Sequence, residues 1–162
     1  MGRAPFPELI GQIAGLQNRE RLEWALTGSA SFRIQGMDVE PPDIDIQTDA
    51  RSAYAVQRLL GGTVLQPVSF SAAARIRSHF GRMLLRGWVV EIMGDLEKLH
   101  TDGTWTEAPD LARIRRFVHY AGQSIPVLDL AYELEAYEIL GRPERAAMLR
   151  EFLASRPEEG SQ

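Results

Sequence analysis

Apolar positions near the start of the chain recur at helical spacing. Leu9, Ile13 and Leu16 share one face of a helix over residues 7–22. Pro7 suits its first position, where a missing amide hydrogen goes unnoticed. Trp24 to Thr27 is a short apolar run stopped by Gly28, the pattern of a buried strand meeting a turn. Residues 30–35 predict a short helix, and Asp38 to Pro42 a loop, because Pro41-Pro42 bars regular structure. Asp43-Ile44-Asp45-Ile46-Gln47 alternates strictly and predicts a strand. Asp49 then caps a helix to about Leu60, which Gly61-Gly62 stops.

The second half is richer in strands. Val64 to Phe70 predicts one, and His79 to Arg86 and Trp88 to Met93 predict a hairpin around Gly87. Arg113 to Tyr120 and Ile125 to Leu128 are two further strands, or one strand and a crossing segment. Asp129 is placed to cap a helix from Leu130 to Leu140, Gly141 to end it, and Pro143 to open a last helix to about Ala154. The order α-β-α-β-α-β-β-β followed by helices predicts an α/β (α+β) fold, with helices flanking a mixed sheet and a short C-terminal helical segment. The expected organisation is one domain over residues 1–155 with a flexible polar tail over 156–162.

Composition narrows the function classes. The chain has 162 residues, 44% of them apolar and 25% charged, which is ordinary globular usage. Cysteine is absent, so disulfide frameworks, thiolate metal sites and cysteine nucleophiles are excluded. A net charge of −4 argues against extensive, sequence-independent DNA binding. No apolar run approaches ~18 residues, and the first ten positions hold two prolines and no signal-peptide core. Met1-Gly2 lacks the Ser or Thr at position 6 that myristoylation prefers, since Phe6 stands there. The expectation is a cytoplasmic protein with no membrane partner.

Three features carry candidate chemistry. In Leu26-Thr27-Gly28-Ser29 a strand runs into a small-residue turn before a helix. Glycine lets an anion approach the backbone, helix-start amides attract it, and the Ser29 hydroxyl adds a donor; the same sequence also makes an ordinary turn. Asp43 and Asp45 share a strand face ~7 Å apart, while Ile44 and Ile46 face the other way. Two such carboxylates repel each other unless a cation lies between them, and oxygen-only ligation suits Mg²⁺ or Mn²⁺; a solvated acidic strand face is the other reading. Glu91 is a charge inside the apolar run Trp88-Val89-Val90-Glu91-Ile92-Met93. Such a residue needs a metal or a basic partner, and arginines lie nearby in sequence.

Thirteen residues separate Ser29 from Asp43. A small-residue turn, a spacer of this length, Asp-apolar-Asp-apolar and a later strand carboxylate together resemble the nucleotidyltransferase superfamily related to DNA polymerase beta. The resemblance rests on Gly28-Ser29, Asp43, Asp45 and Glu91 and covers residues 20–95. In size, and in Ile125-Pro126-Val127-Leu128 leading into a helix that ends Gly141-Arg142-Pro143, the chain is similar to the small lincosamide and aminoglycoside nucleotidyltransferases. Where many relatives carry lysine in that helix and a lysine-aspartate pair after it, this chain has Glu133, Glu135 and Glu138, then Glu144-Arg145.

The resemblance implies transfer of a nucleoside monophosphate from a nucleoside triphosphate, ATP being the expected one, to an unidentified hydroxyl of a small molecule, RNA or protein. It implies Asp43, Asp45 and Glu91 as metal-binding and catalytic residues for Mg²⁺ or Mn²⁺, and Gly28 and Ser29 as a phosphate cradle. Arg33, one helical turn on, is a candidate for neutralising phosphate charge. The alternative is a nucleotidyltransferase-like binding module, or a toxin–antitoxin component, with little catalysis of its own. A homodimer completing the cleft is compatible with either. The remaining polar candidates have ordinary explanations. His79, His100 and His119 lack metal-ligand spacing, Trp88 and Trp105 suit core packing, and Arg113, Arg115 and Arg116 suit a solvated face.

Overall fold

The computed structural model describes residues 2–156. The elements run α1 (Phe6–Arg19), β1 (Trp24–Thr27), α2 (Gly28–Ile34), β2 (Ile44–Thr48), α3 (Ala50–Leu60), β3 (Thr63–Ala73), β4 (Ile76–Leu85), β5 (Trp88–Lys98), α4 (Leu111–Ile114), β6 (Arg115–Tyr120), β7 (Gln123–Leu128), α5 (Leu130–Ile139) and α6 (Pro143–Ser155). The seven strands form one sheet in the order β3-β4-β5-β2-β1-β7-β6. The β2–β5 and β1–β7 ladders are parallel and the rest antiparallel, so the sheet is mixed as the pattern predicts. Of the tail expected over 156–162, positions 157–162 lie outside the described residues.

The two sheet faces do different work. On one, Leu26, Ile44, Ile46, Val90 and Ile92 are fully buried against Leu9, Ile10 and Ile13 of α1 and Ala53 and Val56 of α3. Each large side chain there contributes about 1.5–3 kcal/mol of burial, which makes this face the mechanical base of the molecule. The opposite face carries the alternate residues Thr27, Asp45 and Glu91. Beside them, Phe32 of α2, Leu130 and Tyr137 of α5, and Ala146 and Leu149 of α6 form a separate apolar cluster. The two-residue period of the strands thus forces the isoleucines inward and the carboxylates outward.

Local signals explain most boundaries. Asp49 Oδ1 accepts the Ser52 N–H at 2.7 Å, and Gly61 adopts φ 68 to close α3. Arg86 and Gly87 both have positive φ, as do Ala121 and Gly122, so two-residue turns join β4 to β5 and β6 to β7. Both late segments are therefore strands, forming an antiparallel hairpin.

Three expectations need correction. Asp129 stands at the start of α5 but makes no side-chain cap, leaving that role without a hydrogen bond. The segment expected to enter its strand at Arg113 does so at Arg115. Asp110 accepts the Ala112 N–H at 3.2 Å and winds Leu111–Ile114 into one helical turn first. The strand expected to end at Met93 runs on to Lys98 through a bulge, marked by a register shift against β4 and by Asp95 at φ 51.

Candidate active site

Asp43 lies one residue ahead of β2, Asp45 lies on it, and Glu91 is the partner of Asp45 across the parallel β2–β5 ladder. One oxygen from each of Asp43, Asp45 and Glu91 lies within 4.8 Å of the others, and all three side chains are half-buried. The approach to Asp43 is held from outside, where Arg3 donates to the Pro42 carbonyl at 3.1 Å and stacks on Trp88.

Electrostatics set this cluster apart from a solvated acidic face. Burial, then the charges of Asp43 and Glu91, push the Asp45 carboxyl up to about 8 from its ordinary 3.8. Burial, then Asp43, also raises Glu91. Arg82, its antiparallel partner on β4, acts against that rise from 3.8 Å away. Glu91 therefore joins the aspartates and also has a basic neighbour. At that distance, with a half-exposed guanidinium, the arginine offsets little. Asp45 Oδ1 is buried and has no hydrogen-bond partner among the described residues. An orphaned buried carboxylate oxygen in an all-oxygen cluster of three acids is the donor set of a hard divalent cation such as Mg²⁺ or Mn²⁺.

Gly28 forms one wall. Thr27 pairs with Asp45 across β1–β2, and Gly28 follows at φ 68. A Cβ on Gly28 would stand 2.8 Å from Asp45 Oδ2. The absent side chain thus makes room for the carboxylate, a role that sequence reasoning did not give it. Ser29 is half-buried in the first turn of α2. Arg33 stands in the last turn of the same helix. Its guanidinium pairs with Glu40 at 3.0 Å and lies 5.0 Å from the Phe6 ring centre.

One participant is absent from the sequence expectations. Glu133 of α5 is 4% exposed, and its Oε1 accepts the Thr27 hydroxyl and, at 3.0 Å, the Gly28 N–H. Burial raises its carboxyl to about 7, against the pull of Thr27, Gly28 and Lys98. Lys98, also buried, donates to the Tyr132 hydroxyl at 3.0 Å. These side chains line a cavity of about 130 Å³ with Asp45 and Gln47. A larger cleft of about 440 Å³, lined by Arg75, Ser78 and Phe80, shares Ile76, Leu140 and Arg142 with it. The signal for Glu133 was present in its spacing, because it falls with Leu130 and Tyr137 on the buried stripe of its helix.

The other candidates take structural places. Trp88 is buried, donates to the Ala4 carbonyl at 2.8 Å and packs on Phe6. Trp105 lies under Arg77, and His79 bonds the Tyr54 hydroxyl at 2.9 Å. Arg115 donates to the Trp24 carbonyl, and Glu138 pairs with Arg150. Among the described residues no helix is long and apolar enough to cross a membrane.

Comparison with known proteins identifies the family and the fold. The sequence profile of the aminoglycoside-2″-adenylyltransferase family matches residues 9–151. A crystal structure from Thermotoga maritima, assigned as a nucleotidyltransferase, superposes with a TM-score of 0.80 at 44% identity over 96% of this chain and 97% of that one. The lincosamide adenylyltransferase LnuA, in its lincomycin-bound structure, shares the fold at a TM-score of 0.55 and 16% identity, over 82% of this chain and 85% of its own. Among curated proteins none matches significantly. The chain therefore belongs to the aminoglycoside-2″-adenylyltransferase family of nucleotidyltransferases.

Proposed function

We propose that this protein is a divalent-metal-dependent nucleotidyltransferase that moves the nucleoside monophosphate of ATP onto a hydroxyl of a small-molecule acceptor. The observation that carries the reading is the convergence of Asp43, Asp45 and Glu91 within 4.8 Å beside the Gly28 turn. Lincomycin in LnuA points to antibiotic-sized acceptors, and the cleft of about 440 Å³ has room for part of such a molecule.

In the reaction, the acceptor oxygen forms a bond to the α-phosphorus while the bond from that phosphorus to the bridging oxygen breaks, and pyrophosphate leaves. Divalent ions, when bound, offset the negative charge that builds on the attacking and leaving oxygens. Asp43, Asp45 and Glu91 would hold them. Glu91 would either complete that metal site or take the acceptor's proton. Gly28 and Ser29 would border the triphosphate. Arg33 would join them by exchanging Glu40 for a phosphate oxygen.

Pyrophosphate release tests the reading directly. Purified protein with ATP, Mg²⁺ and a panel of aminoglycosides, lincosamides, tRNA and proteins should release pyrophosphate with at least one acceptor, and Asp45→Asn should abolish it. Intact nucleotide binding with silence across the panel would instead identify a binding module.

A further inference from the structure

Glu133 lies outside the carboxylate cluster, yet the residues that shape the cluster converge on it. A single oxygen of this buried side chain receives both the Thr27 hydroxyl and the Gly28 N–H. Thr27 is the cross-strand partner of Asp45, and Gly28 is the surface against which Asp45 Oδ2 packs. Burying a carboxylate is costly, and an apolar residue would serve the packing of α5 without that cost. What a carboxylate adds is an acceptor that ties α5 to the end of β1 and the first residue of α2. Asp45 depends on that tie, because its Oδ2 packs against Gly28 at the turn which the two bonds to Glu133 hold.

Resting on the nucleotidyltransferase reading of the site, we propose that Glu133 is a positioning residue: it anchors Thr27 and Gly28, and through them holds the Asp45 carboxylate in place for divalent-cation binding. Without it, a buried hydroxyl and a buried amide lose their acceptor, the turn relaxes, and Asp45 can rotate away from its acidic neighbours. Losing a partner that orients a metal ligand typically costs about 10–100-fold in metal affinity or activity.

The test uses the whole chain and two readouts, Mn²⁺ binding followed by electron paramagnetic resonance and kinetics with Mg²⁺ and ATP. Glu133→Ala should weaken Mn²⁺ binding by about 10–100-fold and lower kcat more than it raises KM for ATP. Glu133→Gln keeps an acceptor oxygen on the same stem and should rescue most of the Mn²⁺ affinity lost in Glu133→Ala. Thr27→Val removes one of the two donors and should give an intermediate loss, which carries the test should Glu133→Ala fail to fold. Wild-type Mn²⁺ affinity in a folded Glu133→Ala or in Thr27→Val overturns the proposal. So does a Glu133→Gln protein as impaired as Glu133→Ala. Pyrophosphate silence in a wild-type protein that binds Mn²⁺ removes the transferase reading alone, and the Mn²⁺ affinities of the variants still decide the role of Glu133.

Discussion

Gly28 and Asp45 interlock: a methyl group on the glycine would stand 2.8 Å from the aspartate's Oδ2. Gly61 has the same φ of 68 with nothing within 4 Å, so the two glycines separate backbone strain from contact. Gly61→Ala should cost only the left-handed penalty, about 1–2 kcal/mol. Gly28→Ala should cost more, because it adds the collision with Asp45. It should also cut pyrophosphate release by about 100-fold, as expected when a reacting group is displaced by an ångström, while Gly61→Ala leaves the rate near wild type. Thermal denaturation and an initial-rate assay on both variants check the contrast.

Asp45→Asn should abolish transfer and weaken Mg²⁺-nucleotide binding, yet stabilise the metal-free protein. Asparagine keeps the shape and carries no ionisable carboxyl, so it escapes the cost that burial, then Asp43 and Glu91, place on the ionised form that the unfolded chain adopts freely. A gain of about 1–3 kcal/mol, read as a melting temperature higher by roughly 3–10 °C, is the expected size. A melting temperature below wild type would mean that burial and the neighbouring carboxylates do not penalise the ionised Asp45 in the folded chain.

The same cluster sets a pH dependence of definite sign. The folded chain holds a proton on Asp45 up to about pH 8, whereas the unfolded chain releases it near 3.8. The native state therefore binds more protons across that window, and metal-free stability falls as pH rises from about 4 to about 8. Glu133, raised to about 7, acts in the same direction. Mg²⁺ takes the place of the proton, so its stabilising effect grows with pH. Melting temperatures in EDTA and in Mg²⁺ at several pH values should diverge toward the alkaline end. In Asp45→Asn the EDTA curve should flatten.

Much of this site was legible because its chemistry is local in the sequence. Strict alternation sorts Asp43 and Asp45 from Ile44 and Ile46, and β1 was bounded at Trp24 and Thr27 by its apolar run and the following glycine. Glu91 was conspicuous as a charge in an apolar strand. What stayed hidden depends on distance along the chain. Nothing near Thr27 announces that its hydroxyl bonds Glu133, over a hundred positions away. Lys98 was obscured by the bulge at Asp95, which shifts the alternation so that Leu96 and Lys98 line the same cavity as Met93. Gly28 was legible as a turn, but the carboxylate that occupies its missing Cβ arrives from another strand.

Arg75 is a second residue that only the assembled fold explains. From the turn between β3 and β4, its Nη2 donates to the Leu99 carbonyl at 2.8 Å and to the Ile139 carbonyl at the end of α5. Its Nη1 lies 3.2 Å from where a Cβ on Gly141 would stand. One guanidinium therefore pins the β3–β4 turn, the exit of β5 and the C-terminus of α5, where a cation also complements the helix dipole. Charge-assisted bonds of this kind contribute about 1.5–3 kcal/mol each, so Arg75→Ala should lower the melting temperature by several degrees. Arg75→Lys should recover part of the loss, because one ammonium cannot reproduce the planar fork. Hydrogen exchange supplies the sharper readout, since amides in the last turn of α5 should exchange faster in Arg75→Ala while those of α3 keep their protection. Uniform acceleration across both helices would show that the arginine stabilises the fold as a whole and does not pin α5.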